Sequence, residues 1–444
     1  MRGPARGRFV NAKGPVISTV FEVSAVKRRL RVVGAVTLLQ LAFQALSFLG
    51  GLAAVRWMSV EAYAQYSIAF ALASTFGMLV DAGFTRSIIA LVGERARETE
   101  IVAAYVLAAR RRRRRLFLWL LAPTIGVSLV VGGKHSPDAA AAAAIAVAVA
   151  LSVFAQGAFA ATAGGLLIER ERTAYYGAQL AGAGLRVAGF SILHVLGGLT
   201  GVAGAFVNAG SLGASAQRAA QGHRWPEPSS AAVAAAEADM LTFLRPLWPG
   251  YIFAALQGQV TVVVIAAVGA TQATAQVGAL GRLAQVFAIG TAFTVVLIEP
   301  FIASTPPDQL KQRYLAIVSG LAVATAGASA VAWAFPGPFL AVLGGKYSGL
   351  DVGVGLAVTT GALAFAATVI WTMNAARRWA YGWSTWLYIV STLSLQAGAA
   401  VVFDLRTTNG VLAFGLVSAI GLLAVNTATA VYGFSRPEGR RQTT

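Results

Sequence analysis

Arg186 stands near the middle of an apolar run, Ala174–Leu196, and Gln179, Gly182 and Gly189 fall with it along one helical face. A guanidinium in hydrocarbon is costly, so it faces a bundle interior or a water-filled space. There it can hold an anion. It can equally be satisfied by a carboxylate or backbone carbonyls while the glycines draw helices together. Arg282 lies near the outer end of another run, Val277–Ala303, placed to attract an anionic group or to snorkel to headgroups. Gln40, Gln44 and Ser47 share one face of Val32–Val55, and Gln257, with Gln259 nearby, repeats Gln44 in Leu247–Val268. Amides donate and accept, which suits sugar hydroxyls and suits bonds between helices equally well.

Asp81 and Glu299 are the only acids in or at the edge of such runs, each near an inner end. They could bind a coupling cation or proton, one in each half. Alternatively Asp81 pairs with Arg86, and Glu299, beside Pro300, holds an inner gate shut. The chain has no cysteine, and its three histidines, His135, His194 and His223, are widely separated. Thiolate chemistry is excluded and a histidine metal site is not expected. No catalytic residue, metal or cofactor is expected.

The elements that must position these residues are membrane spans. Of 444 residues 57% are hydrophobic and 12% charged, against about 25% charged in a soluble domain. Mean hydropathy is +0.69, and several apolar runs exceed the roughly 18 residues that read as spanning. The expected fold is an all-α membrane protein of about twelve spans. They run Val32–Val55, Gln65–Gly83, Leu116–Gly132, Ala140–Ile168, Ala174–Leu196 and Thr200–Ala216, then Leu247–Val268, Val277–Ala303, Tyr314–Phe335, Val352–Asn374, Tyr381–Phe403 and Gly410–Phe434.

Net charge is +18, from 35 Lys and Arg against 17 acids. With both termini in the cytosol, inner segments hold about 28 basic residues and outer segments about four, as the positive-inside rule demands. That distribution explains the pI near 11.0 and argues against a nucleic-acid partner. The run Arg110–Arg115 reads as a stop-transfer and headgroup anchor, or as a docking site for a diphosphate headgroup.

Residues 1–31 read as a basic cytosolic tail, 32–216 and 247–434 as two six-helix lobes, 217–246 as a cytosolic inter-lobe loop and 435–444 as a second tail. Phe43-Gln44 and Leu52–Val55 recur as Leu256-Gln257 and Ile265–Val268, at one offset of about 213 residues. An even span number per half makes the repeat parallel. No P-loop occurs, which excludes an ATP-driven pump, and the short outer segments leave no room for the domain of a polytopic cell-envelope glycan enzyme.

Four stretches carry a resemblance. Glu61-Ala62-Tyr63-Ala64-Gln65-Tyr66 is similar to an acidic-Tyr-Gly-x-Tyr opening of span two, with Ala64 in place of the usual Gly. Asp81-Ala82-Gly83-Phe84 is similar to the Asp-x-Gly exit of that span. Val277–Leu283 with Pro300, and Leu343-Gly344-Gly345-Lys346-Tyr347, are similar to second-half signatures. With these the chain resembles bacterial polysaccharide flippases, the polysaccharide-transport branch of the multidrug/oligosaccharidyl-lipid/polysaccharide exporter superfamily. The resemblance implies movement of a polyprenyl-diphosphate-linked oligosaccharide from the cytosolic to the outer leaflet of the bacterial inner membrane, with that glycolipid, membrane lipids and other polysaccharide-assembly proteins as partners. A cation-coupled multidrug antiporter of the same superfamily is the alternative. It would line its cavity with acids and aromatics.

Overall fold

A computed structural model describes residues 16–435, apart from 93–94, 96–97, 170, 295–297, 304, 378 and 380. The chain forms α1 (Val16–Trp57), α2 (Val60–Asp81), α3 (Phe84–Val92), α4 (Thr99–Gly133), α5 (Ala139–Ile168), α6 (Arg172–Val195), α7 (Gly201–Gly222), α8 (Ser230–Leu244) and α9 (Trp248–Gln257). It continues through α10 (Val260–Val268), α11 (Thr271–Ala284), α12 (Val286–Phe293), α13 (Glu299–Ala303), α14 (Pro307–Ala334), α15 (Pro336–Leu343), α16 (Asp351–Ala376), α17 (Gly382–Val402) and α18 (Thr408–Ser435). No strand occurs among the described residues. Helices satisfy every interior backbone group within one segment, which a bilayer requires. Several begin at side-chain caps: Ser59, Asp138, Thr200 and Ser229 each accept from the backbone N–H three residues on.

Each of the twelve expected spans meets a helix or a run of short helices. Among the described residues eight helices, α2 counted together with α3, are long and apolar enough to cross a membrane, and α9 with α10, bent by 55°, makes a ninth. The other three are α6, interrupted by Arg186, the small-residue helix α7, and the broken run α11 to α13. Helix α1 begins at Val16, within the stretch read as a tail. Residues 1–15 and 436–444 lie outside the described residues.

Helices α1 to α7 pack together as one lobe and α9 to α18 as the other. The lobes meet chiefly where α2 crosses α11, and these are the second spans of the two halves. The crossing is close because α11 presents Gly278, where a Cβ would stand 2.5 Å from Ser67 Oγ on α2. Below it α2 ends in a left-handed break, Ala82 at φ 42° and Gly83 at φ 87°. At Gly83 any side chain would also strike the Tyr251 ring, 2.6 Å from a Cβ. The side that the basic residues assign to the outside is called outer below.

The inter-lobe stretch is more ordered than a loop. From Gln217 it holds the end of α7, then α8, whose Val233, Ala236, Met240 and Leu244 recur at helical spacing and are fully or nearly fully buried. That stripe packs against α3 and α4 of the first lobe. Glu237 pairs with Arg112 and, at 3.0 Å, with Arg115, and Tyr105 donates to Asp239 at 2.8 Å. Upstream, His223 and Trp225 donate to Glu169 at 2.8 and 3.0 Å. Burial pushes the Glu169 carboxyl up, and His223 opposes that shift. Only Arg245, Pro246 and Leu247 separate α8 from the second lobe. Met240→Glu, which places a charge in this dry contact, is expected to make tryptic cleavage after Arg224 about tenfold faster, read as half-chain fragments on a gel.

Candidate substrate cavity

Within the first lobe, against its boundary with the second, lies a cavity of about 390 Å³. Its wall comes mostly from α1, α2, α5, α6 and α7, with Arg282, Gln285 and Val286 from the second lobe. Phe43, Phe48, Phe70 and Phe159 give it aromatic faces, and Gln44, Ser47, Gln156, Asn208, Ser211 and Ser215 give it neutral polar groups. Its cations are Arg186 and Arg282, and no lining residue is acidic.

Arg186 reaches Asn208 Oδ1 and Ser47 Oγ, both at 3.4 Å, at the long edge of hydrogen bonding. Its Nε is buried without a partner. The guanidinium therefore keeps donor capacity for a guest. The stripe on α6 serves two purposes. Gly182 and Gly189 take the close approach of α7, at Ser215 and Val207, while Gln179 and Arg186 line the cavity.

Arg282 is 7% exposed, which removes the snorkelling alternative. Its Nε donates to Tyr63 Oη at 3.3 Å, and its guanidinium carbon lies 4.5 Å from the Phe70 ring and 5.9 Å from the Tyr66 ring. It sits one turn beyond Gly278, beneath the α2–α11 crossing. Two cations share a space without a carboxylate, so a bound anion would relieve their mutual repulsion.

The other expected residues divide. Gln44 lines the cavity with Ser47, and Gln40, just over one turn before Gln44 on α1, lies outside its wall. Gln257 is bonded within the second lobe. Its amide exchanges hydrogen bonds with Gln396 at 3.2 and 2.6 Å, and Gln396 also donates to Ser418 at 2.9 Å. The sequence repeat equates Gln257 with Gln44, but the break between α9 and α10 follows Gln257 directly, whereas α1 runs straight through.

Asp81 does not pair with Arg86. It accepts from Arg113, and from Thr85 Oγ1 at 2.8 Å, inside the first lobe. The break at Ala82 and Gly83 redirects α3, and Arg86 instead lies over the Trp371 ring of the second lobe, 4.7 Å from its centroid. The charge that acts on Glu299 is Arg86, across the lobe boundary near the inner end. Within the arginine run, Arg113 is buried against Asp81, Arg110 donates to Thr162 at 2.9 Å, and Arg112 and Arg115 hold α8. Arg111 and Arg114 are exposed. His194 stacks on Trp57 at 4.8 Å near the outer ends of α6 and α1.

Among solved structures, an inward-facing multidrug resistance MATE family transporter of the MOP superfamily superposes with TM-score 0.63 at 15% identity, over 92% of this chain and 99% of that one. The chain has the MATE transporter fold. An outward-facing MATE structure superposes with TM-score 0.58 at 15% identity, over 93% and 96% of the two chains. A MOP superfamily transporter from Pyrococcus furiosus, described as having a binding pocket of reverse polarity that suggests a different function, gives 0.53 at 14% identity over 93% and 96%. No family model and no curated relative matches the sequence. In this fold the cavity lies on the first-lobe side of the boundary, beside the contact of α2 with α11.

Sequence reasoning missed Asn208, Ser211 and Ser215 on α7. Their spacing, three and then four residues apart, was a legible signal, one polar stripe on a small-residue helix.

Proposed function

We propose that this protein is a flippase that carries a polyprenyl-diphosphate-linked oligosaccharide from the cytosolic to the outer leaflet of the bacterial inner membrane, by alternating access of its two lobes, for cell-surface polysaccharide assembly. The observation that carries the reading is the pair of arginines in a central cavity without an acid. A diphosphate needs cationic donors at mid-membrane depth, and Arg186 has donors to spare. Sugar hydroxyls fit the surrounding amides and serines, and sugar faces fit the phenylalanines.

The solved structures of similar fold include multidrug transporters, and that favours a cation antiporter as the second reading. The charge of this cavity opposes it: a cationic drug would meet two guanidiniums and no carboxylate. Asp81, already neutralised by Arg113, is a poor coupling site, so Glu299 is the acid left for a coupling or gating role.

The test is translocation by purified protein in liposomes, with a fluorescent polyprenyl-diphosphate oligosaccharide scored by dithionite access. Wild type is expected to expose the headgroup, and Arg282→Ala to slow it about tenfold, the loss of one charged contact. Transport of a cationic dye down a proton gradient, with no movement of the lipid, would replace this reading with the antiporter.

A further inference from the structure

At their outer ends the lobes exchange donors. From the first lobe, Arg56 donates through Nε to Val342 O at 2.9 Å and through Nη2 to Ala341 O at 2.7 Å, in the last turn of α15. From the second lobe, Lys346 donates to Met58 O and, at 3.5 Å, to Arg56 O, at the end of α1. Lys134 donates to Ala267 O at 2.6 Å and His135 Nε2 to Ala266 O at 2.8 Å, in the last turn of α10. With Nε2 donating, the neutral His135 ring accepts at Nδ1 from the Thr271 hydroxyl at 3.0 Å. Gln65 of α2 donates to His135 O at 3.0 Å and fixes that loop to the first lobe.

The last carbonyls of a helix have no partner within it and form its negative pole, so cations bind there well. Three helix ends are capped across the lobe boundary in this way. Among the described residues no carboxylate makes an ion pair with any of these donors. Glu61 is the acid that acts on Lys346. Burial pulls the Lys346 ammonium below the ordinary lysine value, and Glu61 opposes that.

We propose that these caps on α1, α10 and α15 form a latch that holds the outer side of the cavity shut. The inference rests on the alternating-access reading above but not on the substrate. The acceptors are backbone atoms, so the donors alone carry the latch. When the lobes part, water replaces both donors and acceptors, and the closure is therefore shallow and reversible.

The absence of cysteine makes the test direct. Spin labels at Val195→Cys and Val401→Cys, exposed positions near the outer ends of α6 and α17, report the outer distance in liposomes. Labels at Thr173→Cys and Gly382→Cys report the inner distance. Arg56→Ala with Lys346→Ala, and separately Lys134→Ala with His135→Ala, are expected to raise the population with a long outer and short inner distance about tenfold. Arg56→Lys, which keeps the charge but loses the fork that reaches two carbonyls, should fall between, and monodisperse elution verifies folding. Glu61→Gln should leave the distribution unchanged.

If Glu61→Gln opens the outer side as far as the Arg56 and Lys346 variant does, an ion pair closes it and the latch is wrong. The latch also fails if wild type shifts on adding a polyprenyl diphosphate while its variants match untreated wild type. If no second distance appears in any sample, alternating access itself falls, and the latch with it.

Discussion

Arg186→Ala is expected to slow headgroup translocation about 100-fold, the largest effect of any single substitution in the cavity, because truncating one partner of a buried charge contact costs several kcal/mol. Arg186 and Arg282 are not equivalent. The Arg282 guanidinium is already occupied by Tyr63 and the ring of Phe70. Arg186 holds Asn208 and Ser47 only at 3.4 Å and leaves Nε unpaired, so more of its hydrogen bonding is available to a diphosphate. Arg186→Lys keeps the charge but loses the planar fork, and should retain roughly a tenth of the rate. Asn208→Ala removes only an orienting contact, and about a threefold loss is expected. The dithionite assay reads all three. Equal rates for wild type and Arg186→Ala, in protein that elutes as wild type does, would remove the anion site from this cavity.

Asp81→Ala should be the most destabilising change among the ionisable groups. Arg113 is 2% exposed and Asp81 27%. Two of the Arg113 nitrogens, Nε and Nη1, already lack partners, so removing the carboxylate leaves a buried cation with Thr85 as its remaining neighbour. Breaking such a pair costs about 3 kcal/mol, and unfolding in mixed micelles would measure it. Asp81→Ala with Arg113→Met removes both charges and should recover most of that loss. The double variant also separates structure from coupling. If it is stable and still transports, Asp81 is a structural partner of Arg113. If it is stable and inert, the carboxylate has a role in transport that the buried pair conceals.

The spans were legible because hydrocarbon enforces one rule along the whole chain: apolar runs long enough to cross, with basic residues left inside. Arg186 was legible for the same reason, as a charge that apolar surroundings make conspicuous. The partner of Asp81 was not. Six consecutive arginines cover every face of a helix, and only the packing of α4 against α2 and α3 selects Arg113. Arg86 was assigned to the nearest acid in sequence, and a left-handed break of two residues carries it to the other lobe. The order in the inter-lobe stretch was written in the Val233, Ala236, Met240 and Leu244 stripe, but its prolines and alanines read as a loop. The difference between Gln44 and Gln257 lay beyond the sequence repeat, which matches residue types and does not record the bend that follows one of them.

The docking of α8 on the first lobe sets a geometric limit on how the molecule can open. Leu244 and Trp248 are joined by four peptide units, which span at most about 15 Å when fully stretched. At that edge the two halves stay bound as by the spine of a book, whatever happens at the opposite edge, where α1 faces α12. On the alternating-access reading proposed above, opening toward the cytosol would be lopsided, widest on the side of α1. The proposed lipid-linked sugar chain would then enter by that fore-edge, sideways, with its lipid still among the lipids outside.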